Sequence, residues 1–188
     1  MKKSLDIKVL TGLALLSLVV FSALTHLVMI VWPWVSFAWQ IAGPLPSDNR
    51  LIGNFEDHHS DFERLRDMAA QDWKHKQVVT IAPTFTHLEN DFGPDLRTET
   101  AIPSGRWDLY RVLFDTIGSD EGVDTDGKTF DVYEADRGFA GSGVTKGYYF
   151  GDPAGPVVPS LDALTGGCVN GRYFRRVAGR WYLFLECE

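Results

Sequence analysis

From Val9 to Val31 no Asp, Glu, Lys or Arg interrupts a run of Leu, Val, Ala, Phe and Ile, and His26 is its only titratable side chain. A helix of about 20 apolar residues crosses a hydrocarbon layer roughly 30 Å thick, whereas the apolar region of a cleavable signal is only about 7–15 residues long. The residues that follow, Trp32-Pro33-Trp34-Val35-Ser36-Phe37-Ala38-Trp39, are bulky where a signal peptidase needs small side chains. The pattern therefore predicts an uncleaved single-pass anchor within residues 1–38, its helix ended or kinked at Pro33. Lys2, Lys3 and Lys8 precede the run, and Arg50 is the first basic residue after it. Basic residues are retained on the cytoplasmic side, so the amino terminus is expected inside and the remainder outside. Trp32, Trp34 and Trp39 suit the outer aromatic belt.

Gly43, Pro44, Pro46, Ser47 and Asp48 make residues 39–50 rich in helix breakers, a linker that hands over to a domain at 51–188. From Asn54, read as an N-cap, the period becomes helical. Phe55, His58, His59, Phe62, Leu65, Ala69 and Trp73 fall on one face, opposite Glu56, Asp57, Glu63, Arg64 and Asp67. A second helix is predicted after Pro103, from Ser104 through Ile117, with Gly118 as its stop. Val78 to Ala82 reads as a short strand, and residues 83–103, with three prolines, as a long loop. Beyond Asp126-Gly127 the alternation becomes that of strands: 129–134, 139–150 in part, 171–177 and 180–187. Helices ahead of strands predict an α+β domain with two main helices on an antiparallel sheet.

Charge narrows the partners. The chain carries 25 acidic and 18 basic residues, a formal charge of -7. Without residues 1–38 the balance is 24 acidic to 15 basic. No nucleic-acid partner is expected, because binding a phosphate backbone needs a basic face.

His58, His59, Asp61 and Asp72 form a candidate polar site, since imidazoles and carboxylates bind zinc or move protons. Neighbours on a helix diverge by about 100°, so His58 and His59 do not converge on one ion, and a hydrogen-bonded core histidine is favoured over a ligand. The acidic run Asp120, Glu121, Asp124, Asp126 fails the calcium-loop register, with Gly122 and Tyr133 at the first and twelfth positions, so Asp126-Gly127 reads as a turn. Ser142 lacks the flanking glycines of a nucleophile elbow, having Ala140 and Val144 instead. No catalytic residue, metal or cofactor is assigned, and an enzyme is the minority reading.

Tyr173, Trp181, Tyr182 and Phe184 make the last hairpin aromatic, with Trp181, Leu183 and Leu185 on one side and Tyr182 and Phe184 on the other. They are read as a candidate partner face beside the alternative of a strand covered on both sides. Cys168 and Cys187, the only cysteines, are expected to form a disulfide in an oxidising compartment. A four-residue loop 176–179 sets them directly opposite, whereas a two-residue loop at Ala178-Gly179 pairs Cys187 with Asn170.

Phe55-Glu56-x-His58-x-x-Asp61-Phe62-Glu63-x-Leu65-x-x-Met68-x-x-x-Asp72, Arg106-Trp107-x-x-Tyr110-x-x-Leu113-Phe114, Lys146-Gly147-Tyr148 and Gly179-x-Trp181-Tyr182-Leu183 together resemble a group of small uncharacterised bacterial envelope proteins. Some of these carry a membrane anchor and others a lipoprotein signal. The resemblance spans most of residues 51–186, with residues 77–99 departing from it. It implies a bacterial inner-membrane location with a periplasmic domain, and no activity. The expected function is a membrane-tethered periplasmic protein-binding domain, for example an inhibitor or immunity-type protein. The alternatives are an accessory subunit of a larger envelope complex and, third, a metal-dependent or hydrolytic enzyme.

Overall fold

The computed structural model describes residues 21–22, 24–35, 38, 41, 43–76, 78–82, 86–88, 102–139, 142–164 and 169–188. The chain divides into two compact units, Met1–Gly43 and Pro44–Glu188. In the first, residues 21–22 and 24–35 are helical. Leu24, Leu27, Met29, Ile30 and Trp32 all point outward. Thr25 Oγ1 donates to the Phe21 carbonyl at 2.6 Å and His26 Nδ1 to the Ser22 carbonyl at 2.8 Å, so both polar side chains are satisfied by their own helix. The helix continues through Pro33 to Val35, so of the two effects expected there, an end or a kink, the end does not occur. Most of the expected span, residues 9–20 and 23, lies outside the described residues, as does Trp39. Among the described residues no helix is long and apolar enough to cross a membrane.

The second unit is α+β. Its first helix, α1 (Asp48–Asp57), begins inside the expected linker, because Ser47 Oγ accepts from the Arg50 amide at 3.3 Å and caps it. Asn54 is therefore mid-helix rather than an N-cap. The predicted continuous helix breaks at His58, whose amide bonds the Asn54 carbonyl while its own carbonyl receives the Asp61 and Phe62 amides. From there α2 runs over His59–Lys76. The third helix, α3 (Ser104–Ile117), has the expected limits, with Gly118 at φ 73 in the left-handed position that closes a helix.

Among the described residues seven strands, β1 (Val78–Ile81), β2 (Thr86–Leu88), β3 (Gly122–Thr125), β4 (Phe130–Phe139), β5 (Ser142–Phe150), β6 (Gly171–Ala178) and β7 (Trp181–Cys187), form one sheet. Its order is β2-β1-β3-β4-β5-β7-β6, and every neighbouring pair is antiparallel. Two of these strands were not expected. β2 falls in the predicted loop, and β3 occupies part of the acidic run, where Asp124 pairs with both Thr80 and Asp131.

One sheet face packs on the helices. Phe55, Phe62, Leu65 and Ala69 share the core with Tyr110, Phe114, Val132, Tyr148, Trp181 and Leu183. The Phe62 ring lies 4.5 Å from that of Tyr148, and Phe55 lies 5.3 Å from Trp181. Gly147 permits the close approach of β4 and β5, since a Cβ there would lie 2.0 Å from the Val132 carbonyl oxygen. A bulge between Tyr133 and Ala135 leaves Glu134 as an unpaired extra residue.

Candidate binding cleft

The polar residues singled out along α1 and α2 do not converge on one centre. His58 is a half-buried turn residue rather than part of the helix stripe, and its Nδ1 lies 3.7 Å from Asp61 Oδ2. His59 points elsewhere, with its ring 4.9 Å from Phe55 and Nε2 3.7 Å from Glu63 Oε1. Asp72 belongs to a different cluster. Its carboxylate accepts from Arg106 Nε and from the buried Tyr110 hydroxyl, each at 2.7 Å, tying α2 to α3. Burial, reinforced by Asp72, pushes the Tyr110 hydroxyl far above its ordinary range. Among the described residues no group of three His, Cys, Asp or Glu side chains is placed to hold a metal ion.

The aromatic partner face is corrected. Trp181 is 2% exposed in the helix-facing core, and Tyr173 packs at the margin of that core. Phe184 is wholly buried on the opposite face, where it clusters with Tyr149, Phe174, Tyr133 and Tyr182. Period-two alternation divides the four residues between faces, so they form no common surface. The second face is closed by its own side chains. Arg172 lies 4.0 Å from the Phe184 ring and pairs with Asp131 at 2.5 Å. Burial raises the Asp131 carboxyl to about 6 despite that pairing.

The hairpin register also differs from both expectations. Gly179-Arg180 is a two-residue turn with Ala178 facing Trp181, Gly179 taking φ 54, and an irregularity between Arg176 and Ala178 shifts the pairing. Cys187 faces Gly171 and is buried, so Cys168 is not its cross-strand partner position. There is no free cysteine among the described residues. Cys168 lies outside them.

Two buried ionic features escaped the sequence analysis. Lys146 and Asp48, both 0% exposed, pair at 2.7 Å. Lys146 Nζ also donates to Asp162 Oδ1 and the Pro46 carbonyl, while Asp48 Oδ2 accepts from Arg175 Nη1 and the Leu161 amide. Burial opposes the Asp48 charge, but Lys146, Arg175 and Leu161 outweigh it and hold the carboxyl at about 2. This knot fastens the start of α1 to β5, β6 and the turn at 160–162. Glu134 is the opposite case. Its Oε1 is buried without a hydrogen-bond partner, and burial raises its carboxyl to about 8, with Arg50 opposing and Asp120 reinforcing the rise. The Tyr148 hydroxyl, close enough to feel the Glu134 charge, is committed to the Leu51 carbonyl and accepts from Asn54 Nδ2.

A concave site of about 420 Å³ opens where the middle of α2 meets the β3–β4 turn, the end of β5 and the β6–β7 turn. Arg66, Lys128, Phe130, Phe150, Asp152 and Arg180 line it. The guanidiniums of Arg66 and Arg180 lie 4.5 and 4.9 Å from the centre of the Phe150 ring, within cation–π range. Arg66 pairs with Glu63 at 2.5 Å and Asp67 at 2.6 Å, and Glu63 accepts in turn from Trp181 Nε1 at 2.6 Å. Arg180 lies 3.5 Å from Asp152, whose side chain is 94% exposed. Lys128 makes no ion pair among the described residues. The β3–β4 turn is held rigidly, as expected for Asp126-Gly127, with Asp126 Oδ1 accepting from the Lys128 and Thr129 amides at 2.8 and 2.7 Å. The site joins three cations, Arg66, Lys128 and Arg180, with the half-buried ring of Phe150, so that cations able to bind an anion stand beside an apolar surface. None of these four residues was singled out from the sequence, where each is an ordinary strand-end, turn or helix-surface residue.

No family model, curated protein or solved structure matches this chain.

Proposed function

We propose that this chain is a membrane-tethered protein-binding domain of the bacterial envelope. Residues 1–38 anchor it in the inner membrane with the amino terminus in the cytoplasm, and the unit Pro44–Glu188 captures a protein partner in the periplasm. An inhibitor or immunity-type protein would work in this way. The lysines ahead of an apolar run and the outward-pointing side chains of residues 24–32 support the tether. The observation that carries the binding role is the cleft. In a chain of formal charge -7 it brings Arg66, Lys128 and Arg180 into one cleft with Phe150, and of these Lys128 and Arg180, the latter paired with the exposed Asp152, are the cations open to an anionic group of a partner.

Extraction of the full chain from membranes in mild detergent tests the reading, with the double variant Lys128→Glu/Arg180→Glu in parallel. One dominant envelope protein is expected to copurify with the parent chain and to be lost from the variant. A chain that purifies alone, or a partner retained equally by both, overturns it.

A further inference from the structure

We infer that the cleft takes a single carboxylate carried on an apolar stem, an inference that rests on the cleft being the binding element. The charges decide the anion. Arg66 is already neutralised by Glu63 and Asp67, so the available cations are Lys128 and Arg180, the latter resting over the Phe150 ring and paired among the described residues with the exposed Asp152. An incoming carboxylate replaces Asp152 at little cost, because an exposed ion pair is worth about 0–1 kcal/mol. A dianionic phosphate meets Glu63, Asp67 and Asp152 around the same cations, and it finds no backbone cradle. The Lys128 and Thr129 amides of the turn are spent on Asp126, and the Gly127 amide on Thr125 Oγ1 at 3.0 Å. Phosphate sites on turns depend on such amides being free. The stem follows from Phe150, whose half-buried ring lies in the cleft beside the two cations and offers an apolar or aromatic group a surface, with the buried Phe130 behind it.

Such a carboxylate is presented either by an acidic side chain of a protein or by a free organic acid. The test titrates the full chain in detergent micelles, following the amide resonances of Gly127, Lys128, Thr129 and Phe150 by NMR. The probes are N-acetylphenylalanine, its uncharged amide, inorganic phosphate, and a capped tripeptide with a central Glu between two Phe residues. The acid or the tripeptide is expected to shift these resonances. The uncharged amide, which loses one charge-assisted contact, and phosphate, which has no apolar stem and finds no free amide cradle, should each bind about tenfold more weakly. Tighter binding of the tripeptide assigns the site to a protein segment, and tighter binding of the free acid to a small molecule. Equal binding of the amide, tighter binding of phosphate, or unmoved resonances with every probe would overturn the inference, and none of these comparisons needs a variant to fold. A partner that copurifies through Lys128 and Arg180 while no carboxylate binds leaves the proposed function standing without this ligand class. A carboxylate that binds while no partner copurifies does the reverse.

Discussion

Replacing Glu134 by Gln should make the protein more stable in alkaline solution and leave it nearly unchanged in acid. Glu134 is the extra residue of the β4 bulge, and its Oε1 is buried with no donor to receive. Its carboxyl is raised from the ordinary 4.5 to about 8, chiefly by burial, with Arg50 pulling the other way and Asp120 adding to the rise. Below pH 4.5 the group is protonated in both folded and unfolded chains and contributes no difference. Between 4.5 and 8 the unfolded chain releases the proton that the folded chain keeps, so the stability present at low pH is lost as pH rises, and it levels off above 8. Each tenfold step in acidity is about 1.36 kcal/mol, which bounds the full loss at about 5 kcal/mol. Screening around a half-buried side chain discounts this to about 2 kcal/mol, roughly 4–8 °C in melting temperature for a domain of this size. Gln keeps the shape of Glu and carries no proton to lose. Thermal melts of the full chain in detergent, followed by near-UV circular dichroism from pH 4 to 9, should give profiles that meet near pH 4.5 and diverge to a plateau above pH 8. Asp131 and the other acids titrate in both proteins, so the difference between the profiles isolates Glu134. Parallel profiles across this range would refute the reasoning.

Phe62 and Leu65 are both fully buried, and Phe62→Ala or Leu65→Ala should each cost about 2–5 kcal/mol, read as a lower melting temperature. Lys146→Met leaves Asp48 buried with only Arg175 as its cation and should cost about 3 kcal/mol, while adding Asp48→Asn to the same chain recovers part of that loss in a double-mutant cycle. Gly147→Ala forces β5 away from the Val132 carbonyl and should cost about 3 kcal/mol or more, with lost strand protection visible in amide hydrogen exchange. Non-reducing mass analysis after alkylation should find no reactive thiol if Cys168 and Cys187 are bridged, and two alkylated cysteines would remove the bridge from the account.

Where neighbours along the chain share one environment, the sequence alone determined the outcome. Pro103 and Gly118 bound α3, because a missing donor starts a helix and a left-handed residue stops it. Phe62, Leu65 and Ala69 recur at the helical period and lie in the core. The alternation of Trp181, Leu183 and Leu185 against Tyr182 and Phe184 likewise divides β7 between two faces. Tertiary structure decided what such patterns do not encode. The break at His58 has no Gly or Pro to announce it, and Ser47 lies in a breaker-rich stretch read as linker, where Lys146 and Arg175 from distant strands fix Asp48 at the start of α1. Four residues of mixed polarity, Gly122 to Thr125, carry too short a pattern to be read as a strand until β1 and β4 pair with them from either side. Nothing beside Lys146 in the sequence marks it for burial, and two carboxylates from separate parts of the chain allow it to be buried. The cleft is the extreme case. Arg66, Lys128, Phe150 and Arg180 come from a helix, two turns and a strand end, and a period of 2.0 or 3.6 residues reports only which way each side chain points, whereas their meeting depends on which strands lie side by side.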